Sequence, residues 1–418
     1  MKQINALTVI ALVFVLGLAS CDSQAATTSV LPTSVSIIPT AIALPTSTTT
    51  ATPLPTPTPT PTPAKTPAAI PVATPCLTSN LGVPAGQILF SAMECGAGEC
   101  WGDSSIYLIH SDGTGLRQVF QGQGGIQELA LSPDGTKLAF TERHGWGGYG
   151  VYILNLATGS ALRLRTDLLS VVRMPRWVSD DQVLCVAQTG VASNVFLVDV
   201  DGRRWQQLTE LPPNKGLHDL AVSPDGTQLL FAEYDSDAGR ATVYRMNIDG
   251  TGLQELISFP EDRPLEVGWS PSGNWMIVYH RSLSSTDLIP VYLADREGAE
   301  MIEIAQLTGY SQLLAWAPNE SELIFYSCSS TPETQFDSVV AVRRDGSVIR
   351  TATMVVGTEE LGTKGLCPSP TSLSLDQAQL AFPLYAGGRR SLYIMDMHTG
   401  CWQHLISGYS VLSILWVP

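Results

Sequence analysis

Short apolar runs separated by tight turns recur along most of this chain. In the clearest copy, Leu129–Phe140, two apolar runs flank a Ser-Pro-Asp-Gly turn. Pro133 suits the second position of a type I β-turn and Gly135 suits the fourth, so the pattern predicts an antiparallel hairpin. The same pattern returns at Leu220–Phe231, which indicates an internal repeat.

Two sets of turns count the repeats independently. The first set marks six hairpins in the chain interior, which begin at Leu129–Pro133, Arg176–Asp180, Leu220–Pro224, Val267–Pro271, Leu314–Pro318 and Leu373–Asp376. The second set consists of X-Gly turns between apolar runs, which are typical of hairpins because Gly supplies a positive φ. There are seven of these: Asp112-Gly113, Thr158-Gly159, Asp201-Gly202, Asp249-Gly250, Glu297-Gly298, Asp345-Gly346 and Thr399-Gly400.

The first set contains one hairpin fewer than the second set has turns, and the missing first strand lies at the end of the sequence. Ser413–Pro418 copies the pattern of Val267–Pro271, and Gly86–Phe90 supplies its continuation. The last strand and the first three therefore complete one unit, which leaves no open edge between the two ends of a ring. We predict an all-β fold, a seven-bladed β-propeller of four-stranded antiparallel blades closed by the C-terminal strand, with six or eight blades as alternatives.

The repeats resemble the PD40, or WD40-like, repeats of TolB-type propellers, which also occur in the propeller domains of prolyl oligopeptidase and dipeptidyl peptidase relatives. The resemblance covers about residues 86–418 and rests on the Ser-Pro-Asp-Gly turn, which is complete in two units and altered at Ser270–Gly273 and Ala317–Glu320. Some TolB-like propellers are oligogalacturonate lyases with a histidine-lined metal site on one face. The resemblance therefore implies the fold and leaves both binding and catalytic roles open.

The N-terminus has the pattern of an export signal. Lys2 precedes the apolar segment Ala6–Leu18, which is short for a membrane span, and Leu18–Cys21 resembles a bacterial lipobox. That resemblance implies removal of residues 1–20 and a diacylglycerol on Cys21, which would anchor the protein to a bacterial membrane outside the cytoplasm. An ordinary signal peptide, or a short anchor helix with a chance cysteine, is the alternative.

Residues 21–75 are rich in Thr, Pro, Ala and Ser, and they predict a disordered stalk before a propeller domain at 76–418. Residues 53–67 almost alternate Thr and Pro, which favours polyproline II. At about 3.1 Å per residue, a stalk of about fifty residues would reach on the order of 150 Å. A spacer and a tether without a length requirement both fit this composition.

Charge limits the range of partners. The chain has 23 basic and 38 acidic residues, a formal charge of −15, which argues against binding to nucleic acid or to an anionic membrane surface. No apolar run of transmembrane length follows the N-terminus. We expect the propeller to be a soluble body, a monomer, whose partner is cationic or neutral.

The cysteines other than Cys21 would lie in a compartment that permits disulfides. Cys185 lies inside an apolar run and is predicted to be a small buried residue. A metal site is the alternative for the others, and no Cys-x-x-Cys pair supports it. From the order of strands and turns we predict three disulfides: Cys76–Cys401, Cys328–Cys367 and Cys95–Cys100.

Motifs of the common enzyme classes are absent. The sequence contains no Gly-x-Ser-x-Gly elbow, no His-Glu-x-x-His and no Gly-x-x-x-x-Gly-Lys phosphate loop, and no hydrolase domain accompanies the propeller. We therefore predict no cofactor and no bound metal ion, and we favour a binding role over an enzymatic one.

The best binding candidates lie in one loop, which contains Arg143, His144, Trp146 and Tyr149. Trp101 occupies the matching loop one blade earlier. Aromatic faces beside an arginine suit a sugar or a peptide through stacking and cation–π contact. The alternative is that Trp146 packs down onto the propeller.

His218 and His280 are further ligand-binding candidates, because strand counting places them on the same face of the ring as His144. Convergence of the three would favour a metal site, whereas separate positions would make them ordinary surface residues. The acidic spacing in Asp235–Gly239 suits either calcium or a polar turn.

The leading hypothesis is a lipid-anchored, extracytoplasmic, non-enzymatic propeller that binds a protein or an envelope polymer such as a carbohydrate. It follows from the anchor pattern, the stalk, the ring and the missing catalytic motifs. The alternative hypothesis is a polysaccharide lyase or hydrolase with a histidine-containing metal site on the loop-bearing face.

Overall fold

The computed structural model describes residues 37–43, 72–73, 86–95, 102–144, 148–164, 171–260, 264–280, 288–298, 301–330, 334–357, 371–386, 389–398 and 401–417. Every helix or strand within these ranges is a β-strand, so no helix in the described part is long and apolar enough to cross a membrane. The chain divides into two units, residues 1–34 and 35–418, and the fold below belongs to the second.

The strands are numbered β1 to β30 in chain order, and seven sheets form the blades. Blade 1 contains β6 (Gly125–Leu131), β7 (Lys137–His144), β8 (Gly148–Asn155) and β9 (Ala161–Leu164). Blade 2 contains β10 (Val172–Ser179), β11 (Gln182–Thr189), β12 (Ala192–Asp199) and β13 (Trp205–Glu210). Blade 3 contains β14 (Lys215–Val222), β15 (Gln228–Asp235), β16 (Arg240–Asn247) and β17 (Gln254–Phe259). Blade 4 contains β18 (Leu265–Trp269), β19 (Trp275–His280), β20 (Leu288–Asp295) and β21 (Ile302–Thr308).

The remaining three blades follow the same plan. Blade 5 contains β22 (Tyr310–Trp316), β23 (Glu322–Ser330), β24 (Thr334–Arg343) and β25 (Val348–Gly357). Blade 6 contains β26 (Ser372–Leu373), β27 (Gln379–Ala386), β28 (Arg389–Asp396) and β29 (Trp402–Ile406). Blade 7 contains β30 (Tyr409–Val417), β3 (Gln87–Glu94), β4 (Ser105–His110) and β5 (Arg117–Gln121).

Blade 7 closes the ring as the sequence predicts. Its inner strand β30 pairs antiparallel with β3, from Gln87 opposite Val417 to Glu94 opposite Tyr409. The two ends of the propeller therefore share one sheet, and the predicted architecture of seven four-stranded antiparallel blades is confirmed.

Two short strands lie within the stretch predicted to be a stalk. β1 (Ile37–Ala43) pairs parallel with β13, the outer strand of blade 2, and β2 (Val72–Ala73) pairs parallel with β25 of blade 5. The other residues of 21–75, and the predicted signal peptide 1–20 with Cys21, lie outside the described residues.

The hydrophobic core lies between the blades. Seven clusters of buried side chains occur in the described part of the chain, one at each seam between neighbouring blades. Phe140 and Phe231 are fully buried, and each stacks on the tyrosine of the next strand, Tyr152 or Tyr244. One position of the repeat carries a tryptophan in four blades, and these side chains also pack at the seams: Trp177, Trp269, Trp316 and Trp416. Trp177 Nε1 donates across a seam to the carbonyl oxygen of Ala130 at 2.8 Å.

The hairpin turns lie on one side of the ring, which we call the turn face. In the turn at Ser132–Gly135, Asp134 accepts hydrogen bonds from the Ser132 hydroxyl at 2.6 Å and from the Thr136 backbone N–H at 3.0 Å, and Gly135 has a φ of +70°. These bonds hold the pKa of Asp134 at about 2. We call the opposite side, which carries the loops between second and third strands and between blades, the loop face.

Polar contacts also join the innermost strands from blade to blade. Glu128 accepts a hydrogen bond from Met174 N at 3.0 Å, which joins blades 1 and 2. Arg176 donates to Asp219 at 3.0 Å, and Asp219 accepts from Val267 N at 3.2 Å, so this carboxylate joins blades 2, 3 and 4. These carboxylates at the centre of the ring therefore serve the assembly of the blades.

Candidate functional site

The predicted binding loop connects β7 to β8 on the loop face of blade 1. Strand β7 ends at His144 and β8 begins at Gly148, and Arg143 is the cross-strand partner of Tyr149. Arg143 is exposed, and His144 and Tyr149 are partly exposed. The structure thus brings three of the predicted binding residues together at the tip of one hairpin. Trp101 and Trp146 lie outside the described residues.

A buried carboxylate positions His144. Glu142 is only 2% exposed, and its Oε2 lies 3.3 Å from His144 Nε2. His144 Nε2 also lies 2.8 Å from the hydroxyl of Tyr152. The imidazole is therefore held between a carboxylate and a phenol, while part of it stays accessible from solvent.

Two residues of this arrangement were not predicted from the sequence, Glu142 and Tyr152. Every second residue of a strand points to the same face of the sheet, so Glu142 shares a face with the fully buried Leu138 and Phe140 on β7. It is therefore a charged residue on a face that otherwise carries buried apolar side chains. A charge on such a face is the signal that could have identified it, because buried carboxylates need partners. Arg163 adds a guanidinium 6.0 Å from the centre of the Tyr152 ring. We call Arg143, His144, Tyr149, Tyr152 and Arg163 the blade 1 cluster.

The other two predicted histidines both lie at the seam between blades 3 and 4. His218 Nδ1 accepts a hydrogen bond from Leu265 N at 3.3 Å, and Leu265 is the cross-strand partner of His280. His280 is only 5% exposed and packs edge-on against Phe259, with 4.7 Å between the ring centres. His280 is therefore a core residue of the seam, although the sequence placed it among exposed binding candidates.

Tyr234 and His218 form a flat aromatic pair on this seam. Their ring centres are 4.6 Å apart and their planes differ by 13°. A side chain at Gly216 would collide with this pair, because a Cβ there would lie 2.2 Å from the Tyr234 ring. The glycine is thus required for the stack, and the partly exposed rings form a second aromatic surface on the loop face.

The described residues provide no metal site. No group of three or more His, Cys, Asp or Glu side chains in the described part of the chain is arranged to hold a metal ion. His144 contacts residues of blade 1, whereas His218 and His280 lie at the seam of blades 3 and 4, so the convergence required for a lyase-type metal site is not observed there. Asp235 caps a polar turn, since its Oδ1 accepts a hydrogen bond from Ala238 N at 2.9 Å, a bond that lowers its pKa.

One buried ion pair lies beside the aromatic seam. Glu233 is 1% exposed, and its Oε1 lies 2.5 Å from Lys215 Nζ. Burial raises the pKa of Glu233, and the hydrogen bond from Lys215 opposes this rise. The carboxylate of the pair is buried within blade 3, whereas the Lys215 side chain is 15% exposed.

The turn face carries fixed negative charge. Six of its aspartates have lowered pKa values, in each case mainly because a nearby Ser or Thr hydroxyl donates a hydrogen bond to the carboxylate. These are Asp112, Asp134, Asp225, Asp249, Asp345 and Asp376. They stay ionised at neutral pH and are already engaged within their turns, so this face offers a structural rather than a catalytic set of carboxylates.

The cysteines are only partly described. Cys185 is fully buried and free, as predicted. Cys95 and Cys401 each take part in a disulfide. Cys76, Cys100 and Cys367 lie outside the described residues, as does the side chain of Cys328. The three pairings Cys76–Cys401, Cys95–Cys100 and Cys328–Cys367 therefore stay predictions.

Comparison with known proteins identifies the family. The family model described as PD40, TolB beta propeller domain, matches residues 77–360. The chain belongs to the PD40 family of TolB β-propeller domains. Blade 6 and the inner strand β30 of blade 7 lie beyond the matched range, yet both blades follow the same strand order.

A curated relative and two solved structures are similar to the chain. The Protein TolB homolog of Chlorobium luteolum is 31% identical over 153 residues, which is 36% of this chain and 33% of the relative, so the chain spans about a third of its length. An oligogalacturonate lyase in complex with manganese is 13% identical with a TM-score of 0.50, covering 77% of this chain and 85% of that one. A puromycin hydrolase is 12% identical with a TM-score of 0.53, covering 82% and 54%. At such identities the two structures share the fold alone with this protein.

Proposed function

We propose that this TolB-family propeller is an extracytoplasmic binding module that docks a protein partner on its loop face and is held at a membrane by a lipid on Cys21. The observation that carries the proposal is the blade 1 cluster, in which the tip of the β7–β8 hairpin presents Arg143 and Tyr149 as cross-strand partners on one face of the sheet, next to His144, which Tyr152 orients on the other face. Arginine and tyrosine are enriched among the residues that dominate binding energies at protein interfaces.

The order of the His144 side chain supports docking over chance exposure. Arg143 and Tyr149 are cross-strand partners in the backbone of the hairpin, and the His144 imidazole is held by Glu142 and Tyr152. Side chains that are already ordered lose less conformational entropy when a partner binds. The net charge of −15 favours a neutral or basic protein surface over a nucleic acid.

Crosslinking and capture in the native cells tests the docking surface. We expect the wild-type chain to capture a partner protein and the double variant Arg143→Ala/Tyr149→Ala to lose most of it. Arg203→Ala is the matched control, because its side chain is 87% exposed on the turn face of blade 2. Equal capture by the double variant, or equal loss with the control, would contradict docking at the blade 1 cluster.

Membrane fractionation tests the anchor separately. Cys21→Ala removes the thiol that would carry the lipid, so we expect the protein to move from the membrane fraction to the soluble extracytoplasmic fraction. Retention of the variant at the membrane would mean that a segment other than a lipidated Cys21 holds it. That result would leave the docking proposal standing.

A further inference from the structure

The outer strand of blade 2 carries an additional partner. β1 (Ile37–Ala43) runs parallel to β13, with Ile37 opposite Trp205, Ile38 opposite Gln206 and Ala43 opposite Glu210. The register shifts once, between Pro39 and Ile42. Blade 2 is thereby a five-stranded sheet.

We infer that the outer edge of blade 2 is a docking edge for the chain's own segment Ile37–Ala43, and that this segment is a strap rather than a free part of the stalk. An outer strand presents a row of unpaired backbone N–H and C=O groups, and an added strand satisfies them. β13 carries no charged residue before Glu210, so no side-chain charge along Trp205–Thr209 opposes the addition of a strand.

The sequence of the stretch supports the strap independently. Between Asp22 and Pro75, isoleucine occurs at Ile37, Ile38, Ile42 and Ile70. Three of these lie inside β1, and the fourth lies two residues before β2. β-branched residues favour strands, whereas the Thr-Pro alternation between the two segments does not. The division of the chain at residue 35 likewise groups β1 with the propeller.

The chain between β1 and β2 is long enough for β1 to pair with blade 2 while β2 pairs with blade 5. Residues 44–71 connect β1 on blade 2 with β2 on blade 5, and in extended form they would reach on the order of 90 Å at about 3.1 Å per residue. A domain of this size has a radius of gyration of about 20 Å, so the connection is long enough to cross the ring.

The strap would set the distance between the ring and the membrane, a consequence that rests on the proposed lipid anchor. With β1 docked, only residues 22–36 separate Cys21 from the ring, and these reach about 50 Å when extended at about 3.1 Å per residue. Release of the strap would lengthen the tether toward the full stalk. Docking itself does not depend on the anchor.

A register-specific disulfide tests the docking on the unlipidated full chain, so its outcome is independent of the proposed function. Facing residues on neighbouring strands are about 4.8 Å apart, which lies within the Cα separation that a disulfide needs. We expect Ile38→Cys/Gln206→Cys to form a linked peptide under mild oxidation, detected by mass spectrometry without reduction. The matched control is Ile38→Cys/Gln254→Cys, because Gln254 holds the equivalent position on the outer strand of blade 3.

Failure of the Ile38–Gln206 pair to link, or equal linking in the control, would overturn the inference. Hydrogen exchange on the unmodified chain gives a second reading that needs no cysteine variant. We expect the slowest-exchanging amides of Ile37–Ala43 to exchange at least tenfold more slowly than those of Ser47–Thr50 in the same stretch. Equal exchange in the two segments would also overturn it.

Discussion

Replacing Asp219 with alanine removes a carboxylate that joins three blades near the centre of the ring. Asp219 lies 3.0 Å from Arg176 Nη2 of blade 2 and accepts a hydrogen bond from Val267 N of blade 4 at 3.2 Å. Burial raises the pKa of Asp219, and the charge of Arg176 opposes this rise. Without the carboxylate, Arg176 keeps only carbonyl partners, on Leu220 and Pro175, and Val267 N loses its acceptor.

The partial burial of the pair sets the size of the effect. The side chains are 16% exposed for Asp219 and 36% for Arg176. Breaking a fully buried pair costs about 3 to 5 kcal/mol, and an exposed pair is worth about 0 to 1 kcal/mol. The intermediate exposure, with one orphaned backbone N–H, leads to an expected loss of about 2 to 3 kcal/mol in the free energy of unfolding.

Equilibrium unfolding in guanidinium chloride measures this loss. We expect a lower midpoint concentration of denaturant and an unchanged slope of the free energy of unfolding against denaturant concentration. Asp219→Asn keeps one side-chain oxygen as an acceptor for Val267 N, so we expect it to lose less stability than Asp219→Ala. Arg203→Ala is the control, since that arginine is exposed and its ion pair with Asp201 is 3.5 Å long. A midpoint for Asp219→Ala equal to that of the control would refute the view that this carboxylate joins the blades.

Three further predictions address the core, the turns and the disulfides. Phe231→Ala should lower the free energy of unfolding by about 3 to 5 kcal/mol, measured in the same assay, because the fully buried ring leaves a cavity beside Tyr244. Thr136→Val should raise the pKa of Asp134 from about 2 toward 3.8, measured by NMR titration, because one donor to the carboxylate is lost. Since the folded-state pKa is lowered, the stability from this turn is present above pH 3.8 and is lost as pH falls through about 2, and an unshifted titration in the variant would contradict the hydrogen-bond origin. Peptide mapping without reduction should recover Cys76 linked to Cys401, and a free Cys76 would exclude that pairing.

The repeat of the turns made the architecture predictable. Each Ser-Pro-Asp-Gly or X-Gly turn specifies a hairpin locally, and the copies follow one another in the order of the strands. Even the closing blade was predictable, because Ser413–Pro418 matches an inner strand that the N-terminal unit lacks. The fold could therefore be predicted from local turn chemistry and chain order. Neither requires knowledge of long-range contacts, which a single sequence does not provide.

The directions of the candidate site residues were not predictable in the same way. A β-bulge between Leu217 and Asp219 makes His218 an extra residue on β14, so counting alternate positions cannot assign it to one side of the sheet. The contact between His144 and Tyr152 depends on the register of two neighbouring strands, and the burial of His280 depends on Phe259 of another blade. The sequence thus places these histidines on the loop face, but their partners come from packing.

The average composition of residues 21–75 did not predict the strand at Ile37–Ala43. A high content of Thr and Pro predicts that the stretch cannot build a core of its own. Pairing with an existing sheet edge needs no core, because the added strand gains backbone hydrogen bonds that the edge already offers. A short segment such as Ile37–Ala43 can therefore be a strand beside β13 although the stretch around it has the composition of a linker. The relevant signal is the local grouping of isoleucines, which an average over the whole stretch conceals.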